Sequence, residues 1–430
     1  MSVPDERQKE FKAPRGTRDI LPAEIEPWRE LERVCRSVME AAGYLEIRTP
    51  IFEHTELFQR GIGETTDIVE KEMYTFLDRA GRSITLRPEG TASVVRSYLE
   101  HKMYALPQPI KVYYIGRMYR YERPQAGRYR EFRQFGAEAI GAQDPAIDAE
   151  LIDVFVEILS RMGLKDLEVH VNSIGCPECR PKYRDAIREG LEPVMGRLCE
   201  DCLRRLTRNP LRILDCKNPE CRDLTKNVAN IFDHLCDECR DHFQSFSRFL
   251  DISGIHYVVD PRIVRGLDYY TKTVFEVISR DLGAQDAVGG GGRYDGLVEE
   301  CGGSPTPGAG FAAGMDRIIQ LMTARKAPDE GVSGPDVFIA ALGDDARLIA
   351  FKAAIDLRRA GVSADIDHMG RSLRAQMKFA DRGKFRYVVI LGEDEIAANE
   401  ATIREMATGA QTRVSFDGLV EALIGRCLRS

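Results

Sequence analysis

No stretch of this chain approaches the ~18–20 uninterrupted apolar residues that a membrane span needs. The first residues, MSVPDERQKEFKAPRGTR, are charged and hold no hydrophobic signal core. Both absences point to a cytoplasmic protein with no membrane partner, in which thiols stay reduced. Excess positive charge is missing as well: 61 Lys and Arg stand against 68 Asp and Glu, a formal net charge of −7. The molecule as a whole is therefore not a basic nucleic-acid coat, and any nucleic acid must be met by local patches. Histidines are few. His54, His101, His170, His234, His242, His256 and His368 share no metal-binding or catalytic spacing and read as structural or surface residues. Nor is there a GxxxxGK[ST] loop, or a GxGxxG opening a βαβ unit. A nucleotide, if bound, is bound without a glycine loop on a helix. Internal repeats and low-complexity tracts are also lacking.

What is present is concentrated. Residues 116–138 read GRMYRYERPQAGRYREFRQFGAE, with Arg117, Arg120, Arg123, Arg128, Arg130 and Arg133 spaced through aromatics, and with carboxylates at Glu131 and Glu138. Apolar runs on either side (IKVYYIG and FGAEAIG) predict a β-hairpin with a long basic loop. Guanidinium is a planar fork of donors matched to phosphate oxygens. Six of them on one hairpin imply a polyphosphate or nucleic-acid ligand, or both. The competing reading is a solvated, salt-bridged face.

A length of 430 residues predicts two or three domains. Helical patterns run over 28–42, 91–104 and 147–162. YLEIRTPIFEHTELF alternates, and its Pro50 suits a strand end at an edge or interface. Strands are expected over 73–78 and 83–88, paired across Ala80-Gly81, and at LEVHVNSI. Strand character returns after 251, followed by a glycine run, Gly289 to Gly292. Residues 326–334 fall in a polar Pro/Gly linker. Beyond it, alternating strand and helix patterns predict a small α/β domain with a mostly parallel sheet, over 335–430.

Eight of the eleven cysteines fall between Cys176 and Cys239, which marks a separate, charged, helical unit over about 175–250. Cys176-x₂-Cys179 followed by Cys199-x₂-Cys202 lies within the zinc-ribbon spacing range, and Cys216-x₄-Cys221 with Cys236-x₂-Cys239 would form a second four-thiolate site. The alternative is eight reduced cysteines buried as small hydrophobes.

Arginines without a glycine loop resemble the class II aminoacyl-tRNA synthetases. Three segments are similar to that class's motifs: the helix and strand with Pro50, the hairpin around Arg120, and GFAAGMDR with Arg317 at a helix start. RGLDYYT (265–271), GGRYDGLV (291–298) and RPEGTA (87–92) narrow the resemblance to the histidyl-tRNA synthetase family, over nearly the whole chain. The resemblance implies an α+β fold: an antiparallel catalytic sheet over 1–174 and 251–325, a Cys-rich insertion over 175–250, and an anticodon-binding domain over 335–430. It implies a homodimer acting on L-histidine, ATP with Mg²⁺, and tRNA(His).

In that family a histidine carboxylate, already ionised, attacks the α-phosphorus of ATP, so no general base is required. Positioning and charge stabilisation do the work. The resemblance puts Arg120 on the α-phosphate and the amino-acid carboxylate, and Arg265 opposite it as the catalytic cation. Arg317 and Arg128 take the outer phosphates, while Glu122 and Phe132 meet adenine. Glu89, Gly90, Thr91 and Gln134 surround the α-ammonium, Glu138 and Tyr270 the imidazole, and Tyr269 lines the pocket. Arg123 and Gln125 meet the tRNA acceptor end. Glu89 has a plainer reading as a helix N-cap. The rival function is a catalytically inactive, synthetase-like regulatory subunit of histidine biosynthesis. Arg120, Arg265, Arg317 and the presence of 335–430 favour the enzyme.

Overall fold

The structure, a computed structural model, describes residues 10–63, 66–125, 127–165, 167–226, 228–279, 287–325 and 334–428. It divides into two compact units, Met1–Lys326 and Ala327–Ser430.

The first unit is built on an eight-stranded sheet. Its strands are β1 (Leu45–Glu46), β5 (Ile110–Tyr119), β6 (Glu131–Ile140), β7 (Leu167–Ser173), β8 (Tyr257–Val259), β9 (Thr271–Ser279), β10 (Ala287–Arg293) and β11 (Gly308–Gly314). Their order is β1-β5-β6-β11-β10-β9-β7-β8. Only the outermost pairs, β1–β5 and β7–β8, are parallel; the interior is antiparallel. A small sheet of β2 (Phe52–His54), β3 (Tyr74–Leu77) and β4 (Ser83–Leu86) runs β2-β4-β3.

The period of two along a strand decides where the site can be. Phe135, Ala137 and Ala139 of β6, Phe311 and Ala313 of β11, and Phe275 and Val277 of β9 enter the core. There they meet the helices Glu26–Ala41, Ala146–Arg161 and Met315–Arg325. Phe155 stacks on Phe311 at 4.9 Å. The alternate positions, Gln134, Glu138, Gly310 and Glu276, therefore point to the other face of the sheet.

Between β7 and β8 the chain leaves the sheet and forms the helices Cys179–Leu191, Glu200–Arg208, Pro219–Leu224 and Asp237–Ser253. The insertion's own core includes Tyr183, Ile187, Leu191, Leu211 and Ile213. Helix Asp237–Ser253 serves both bodies: Cys239 lies in the insertion core, while Phe243, Phe246 and Leu250 pack in the main core.

The second unit has a sheet of β12 (Val337–Ala341), β13 (Ala364–Ile366), β14 (Tyr387–Leu391), β15 (Glu400–Glu405) and β16 (Gln411–Ser415), in the order β13-β12-β14-β15-β16. The mostly parallel expectation is corrected here. Only β13, β12 and β14 run parallel; β15 and β16 add antiparallel. These two strands were hidden because β15 buries just Ala401, Thr402 and Ile403, and β16 buries nothing. Two boundaries also move in the first unit. The alternation after Tyr44 stops at His54, where Thr55–Ile62 turns helical and buries Phe58 and Ile62 on one face. The helix expected over 91–104 ends at Glu100, and Lys102 takes a left-handed φ of 53°. Most of the expected linker, 326–333, lies outside the described residues.

Candidate active site

A cleft of about 310 Å³ opens on the face of the sheet away from the helices. Arg120, Arg128, Arg265 and Arg317 all line it, although they come from the hairpin loop, the loop before β9 and the helix after β11. Each guanidinium is held by a directional partner. Arg120 Nε donates to the Pro88 carbonyl at 2.9 Å, and Arg128 Nη1 to Glu122 at 3.0 Å. Arg265 pairs with Glu276, and Arg317 donates to the Ala287 carbonyl. Burial works against the charge on Arg265, but Glu276 and Tyr270 outweigh it and raise its pKa. Arg317 shifts the other way, lowered by burial and by the neighbouring Arg128. An anion entering the cleft relieves that mutual repulsion. Phe132 lies under the Arg120 guanidinium, 5.4 Å from ring centroid to Cζ.

Beside the arginines is a narrow slot of hydroxyls and carboxyls. Glu138 is fully buried. It accepts hydrogen bonds from Tyr294 (2.6 Å) and from the Thr91 hydroxyl (2.7 Å), with Tyr114 at 3.5 Å. Burial pushes its pKa up to about 8 against those donors. Near neutrality this carboxyl can give or take a proton, which suits a ring nitrogen that does the same. Gly310, opposite Glu138 in the β11–β6 register, forms part of the cleft wall. A Cβ there would lie 1.8 Å from Glu138 Oε2, so only glycine brings the carboxyl this close to the cleft. Glu89, Thr91, Gln134, Tyr269 and Tyr270 also line the cleft. Burial holds Tyr269, Tyr270 and Tyr294 well into the neutral phenol form. Among the described residues, Gln134 Oε1 and Arg265 Nε are buried without a hydrogen-bond partner.

Some residues singled out by sequence sit elsewhere. Glu89 caps the helix Thr91–Glu100, accepting from the Thr91 and Ala92 amides at 2.7 and 2.9 Å, so its plain reading coexists with a place in the cleft. Gly90 does not line the cleft; its Cα packs on the Tyr114 ring. Arg123 and Gln125 are exposed at the hairpin tip. The other three hairpin arginines, to which the sequence reading gave no ligand, are engaged within the protein. Arg117 pairs with Glu131, Arg130 covers the Tyr121 ring, and Arg133 stacks on Trp28 at 5.0 Å. Arg117 and Arg130 brace the hairpin internally, and Arg133 ties it to the helix Glu26–Ala41. In GGRYDGLV, Arg293 is fully buried against Asp148 at 2.9 Å and is structural.

Sequence reasoning missed Glu276, Tyr294, Tyr129 and Asp316, all of which line the cleft. Glu276 and Tyr294 lie in segments already singled out, Glu276 at an outward position of β9 and Tyr294 just past the end of β10, but no local pattern marks either as facing the cleft. Asp316 reaches the site by accepting from the Arg133 amide at 3.0 Å, a contact between positions far apart in sequence.

The cysteines gather into two four-sulfur groups, Cys176/Cys179/Cys236/Cys239 and Cys199/Cys202/Cys216/Cys221, with sulfurs within 4.8 Å of one another in each. The pairing expected from linear spacing is thereby corrected: the first and last pairs meet, and the middle pairs meet. The insertion leaves β7 and returns through helix Asp237–Ser253, so its two ends come together at a neck while its middle folds on itself. Sulfur separations of 3.6, 3.8 and 3.9 Å exclude disulfides at these pairs and match the ~3.8 Å edge of a tetrahedron with ~2.3 Å zinc–sulfur bonds. Backbone amides point at the sulfurs, Cys236 N to Cys179 Sγ at 3.1 Å and Cys199 N to Cys221 Sγ at 3.3 Å.

In the second unit a separate concavity is lined by Arg347, His368, Arg371 and Gln376. Arg371 is tied to Asp367 at 2.9 Å and stacks on Phe379. Arg374 and Lys378 are exposed on the helix that follows.

An antiparallel sheet flanked by helices, with arginines from a hairpin and from a helix start facing one cleft, defines the catalytic unit of a class II aminoacyl-tRNA synthetase. The histidyl-tRNA synthetase family model matches residues 16–177 and 210–318, and an anticodon-binding domain model matches 336–426. A histidine–tRNA ligase of Desulforamulus reducens is 56% identical over 95% of this chain and 97% of its own length. One of Halothermothrix orenii is 54% identical over 96% and 99%. The crystal structure of apo S. aureus histidyl-tRNA synthetase superposes with a TM-score of 0.81 at 40% identity, covering 96% of this chain and all of that one. The chain belongs to the histidyl-tRNA synthetase family.

Proposed function

We infer that this protein is a histidine–tRNA ligase: it activates L-histidine with ATP to histidyl-adenylate and transfers the histidyl group to the 3′ end of tRNA(His). The observation that carries the reading is the adjacency of two unlike sites in one cleft, a set of four guanidiniums and a buried carboxyl–phenol slot. A regulatory subunit that only sensed histidine would need the slot but not the arginines.

In this reading a carboxylate oxygen of histidine attacks the α-phosphorus, the bond to the β-phosphate oxygen breaks, and pyrophosphate leaves. Arg120 and Arg265 approach the reacting anions from different elements and stabilise the charge that gathers on the α-phosphoryl oxygens. Arg128 and Arg317 hold the outer phosphates, exchanging Glu122 and the Ala287 carbonyl for phosphate oxygens. Phe132 offers a stacking face for adenine, and Glu122 an acceptor for its amino group. Glu276, paired with Arg265 and acting electrostatically on Arg317, would be the carboxylate to hold a Mg²⁺ ion, which when bound would neutralise part of the triphosphate charge. Glu89, Thr91 and Gln134 surround the α-ammonium, while Glu138, backed by Tyr294, and Tyr270 meet the imidazole. Such a slot rejects amino acids without a ring nitrogen, because they would leave a buried carboxyl unpaired.

The hairpin tip, Arg123 and Gln125, meets the acceptor end, and residues 335–430 read the anticodon. Exposed apolar side chains at Leu45, Ile51, Phe52, Phe76 and Leu77 support a homodimer formed next to Pro50. The working compartment is the cytoplasm; among the described residues no helix is long and apolar enough to cross a membrane. The insertion's cysteines hold structural zinc. The deciding experiment is pyrophosphate–ATP exchange assayed with each of the twenty amino acids. Exchange only with histidine is expected; none with any amino acid, from folded magnesium-supplied protein, would leave the regulatory reading.

A further inference from the structure

The segment between Cys202 and Cys216 does more than fill the insertion. It holds Asn209 and the tight turn Pro210–Ile213, and it reaches across to the loop that delivers Arg265. Arg212 Nη1 donates to the Arg265 carbonyl at 2.9 Å, and Asn209 Nδ2 donates to Asp268 at 3.1 Å. Val264, next to Arg265, packs against the insertion's core beside Leu211 and Ile213. The same segment touches the π-helical turn Ile68–Glu72: Arg208 pairs with Glu70 at 3.0 Å, and Arg205 and Arg212 approach Asp67 at 3.8 Å. That turn in turn accepts the Tyr121 amide of the basic hairpin at 2.7 Å, through the Glu72 carbonyl.

Besides these contacts the segment is held by Leu206, Leu211, Ile213 and Leu214 in the insertion's own small core. Helix Glu200–Arg208 buries only Cys202 and Leu206, and Cys202 belongs to the Cys199/Cys202/Cys216/Cys221 group. At the far end Cys216 closes on the Ile213 carbonyl, 3.1 Å from its amide. Thiolates gathered without a cation would repel one another in a buried setting. A divalent ion of zinc's size satisfies all four sulfurs at once and joins Cys199 and Cys202 to Cys216 and Cys221.

We propose that the insertion binds two zinc ions in nested four-cysteine centres with distinct tasks. The outer centre closes the neck, and the inner centre clamps residues 203–215 so that Arg212 and Asn209 position the Arg265 loop for histidine activation. The proposal rests on the ligase reading and on structural zinc. Arg212 is a positioning residue: it touches the Arg265 backbone and has no place in the cleft.

Three measurements on the full-length protein test it. Metal analysis after purification without chelator is expected to give two zinc ions per chain. The double variant Cys202→Ser/Cys221→Ser should hold one, as should Cys176→Ser/Cys236→Ser. Zinc-free, folded parent protein would overturn the metal assignment. In histidine-dependent exchange, Arg212→Ala is expected to keep both zinc ions, to lower kcat by at least about tenfold, and to change KM for histidine less than about threefold, with Arg212→Lys recovering part of the rate. Parent-like kcat in Arg212→Ala would overturn the positioning role and leave the zinc centres standing. The inner double cysteine variant should reproduce the Arg212→Ala pattern; full activity in that variant, with one zinc lost, would overturn the clamp. Absence of exchange in the parent would instead remove the ligase reading, which separates the two failures.

Discussion

Two residues bring out the chemistry most sharply. In the proposed reaction Arg265 carries a charge used mainly when the α-phosphoryl group is in transit. Arg265→Ala should therefore lower the turnover of histidine activation by about 10²–10³, with a smaller effect on histidine affinity. Rapid-quench adenylate formation beside equilibrium histidine binding checks this, and equal losses would mean that Arg265 only holds the substrate carboxylate. Glu138 makes the opposite kind of statement, one about stability. Its folded pKa of about 8 lies above its ordinary value of 4.5. The folded chain thus retains a proton that the unfolded chain releases, and this contribution is complete below pH 4.5 and lost as pH rises through 8. Glu138→Gln cannot ionise. Without histidine, its melting temperature relative to the parent should climb between about pH 4.5 and about pH 8 and level off above that, while its histidine-dependent exchange collapses. A constant gap in melting temperature would show that the carboxyl titrates normally.

At the scale of elements, the hairpin divides its arginines among three jobs, and sequence alone does not say which does which. Arg120 and Arg128 face the cleft, Arg123 faces solvent, and the other three are structural: Arg117 and Arg130 brace the hairpin internally through Glu131 and Tyr121, and Arg133 fastens it to Trp28. Arg123→Ala should slow transfer to tRNA by about tenfold and leave exchange unchanged; single-turnover transfer from preformed adenylate measures it. The hairpin was plain in the sequence because two apolar runs flank a polar one. The helices Glu26–Ala41 and Ala146–Arg161 were equally plain, since their apolar residues recur with the helical period. Thr55–Ile62 was not, because a short helix following an alternating strand offers too few turns to establish a period. The cysteine pairing was illegible for another reason: spacing along a chain says which thiols are near in sequence, whereas the return path through Asp237–Ser253 decides which are near in space. Glu276 shows a third kind of limit. Its strand was expected, but its importance comes from sitting across from Arg265, and no local pattern encodes that distance.

For the whole molecule, the proposed function gives the two compact units separate parts of the reaction. Removing 335–430 should reduce tRNA charging by about a hundredfold or more while changing histidine-dependent exchange by less than about threefold. Filter-bound charging and exchange assayed on the same truncated preparation make the comparison. An equal fall in both would mean that the first unit depends on the second for its own integrity.

The neck of the insertion has a consequence for how this protein tolerates change. Cys179 and Cys236 are one hydrogen bond apart where the chain departs from and rejoins the catalytic body. Everything between them is a cassette on a closed stem. Its length can be trimmed or its contents swapped without dragging any strand of the main sheet out of register. What such surgery forfeits is the reach of the cassette back to the signature loop, so a shortened protein would fold like its parent and turn over more slowly.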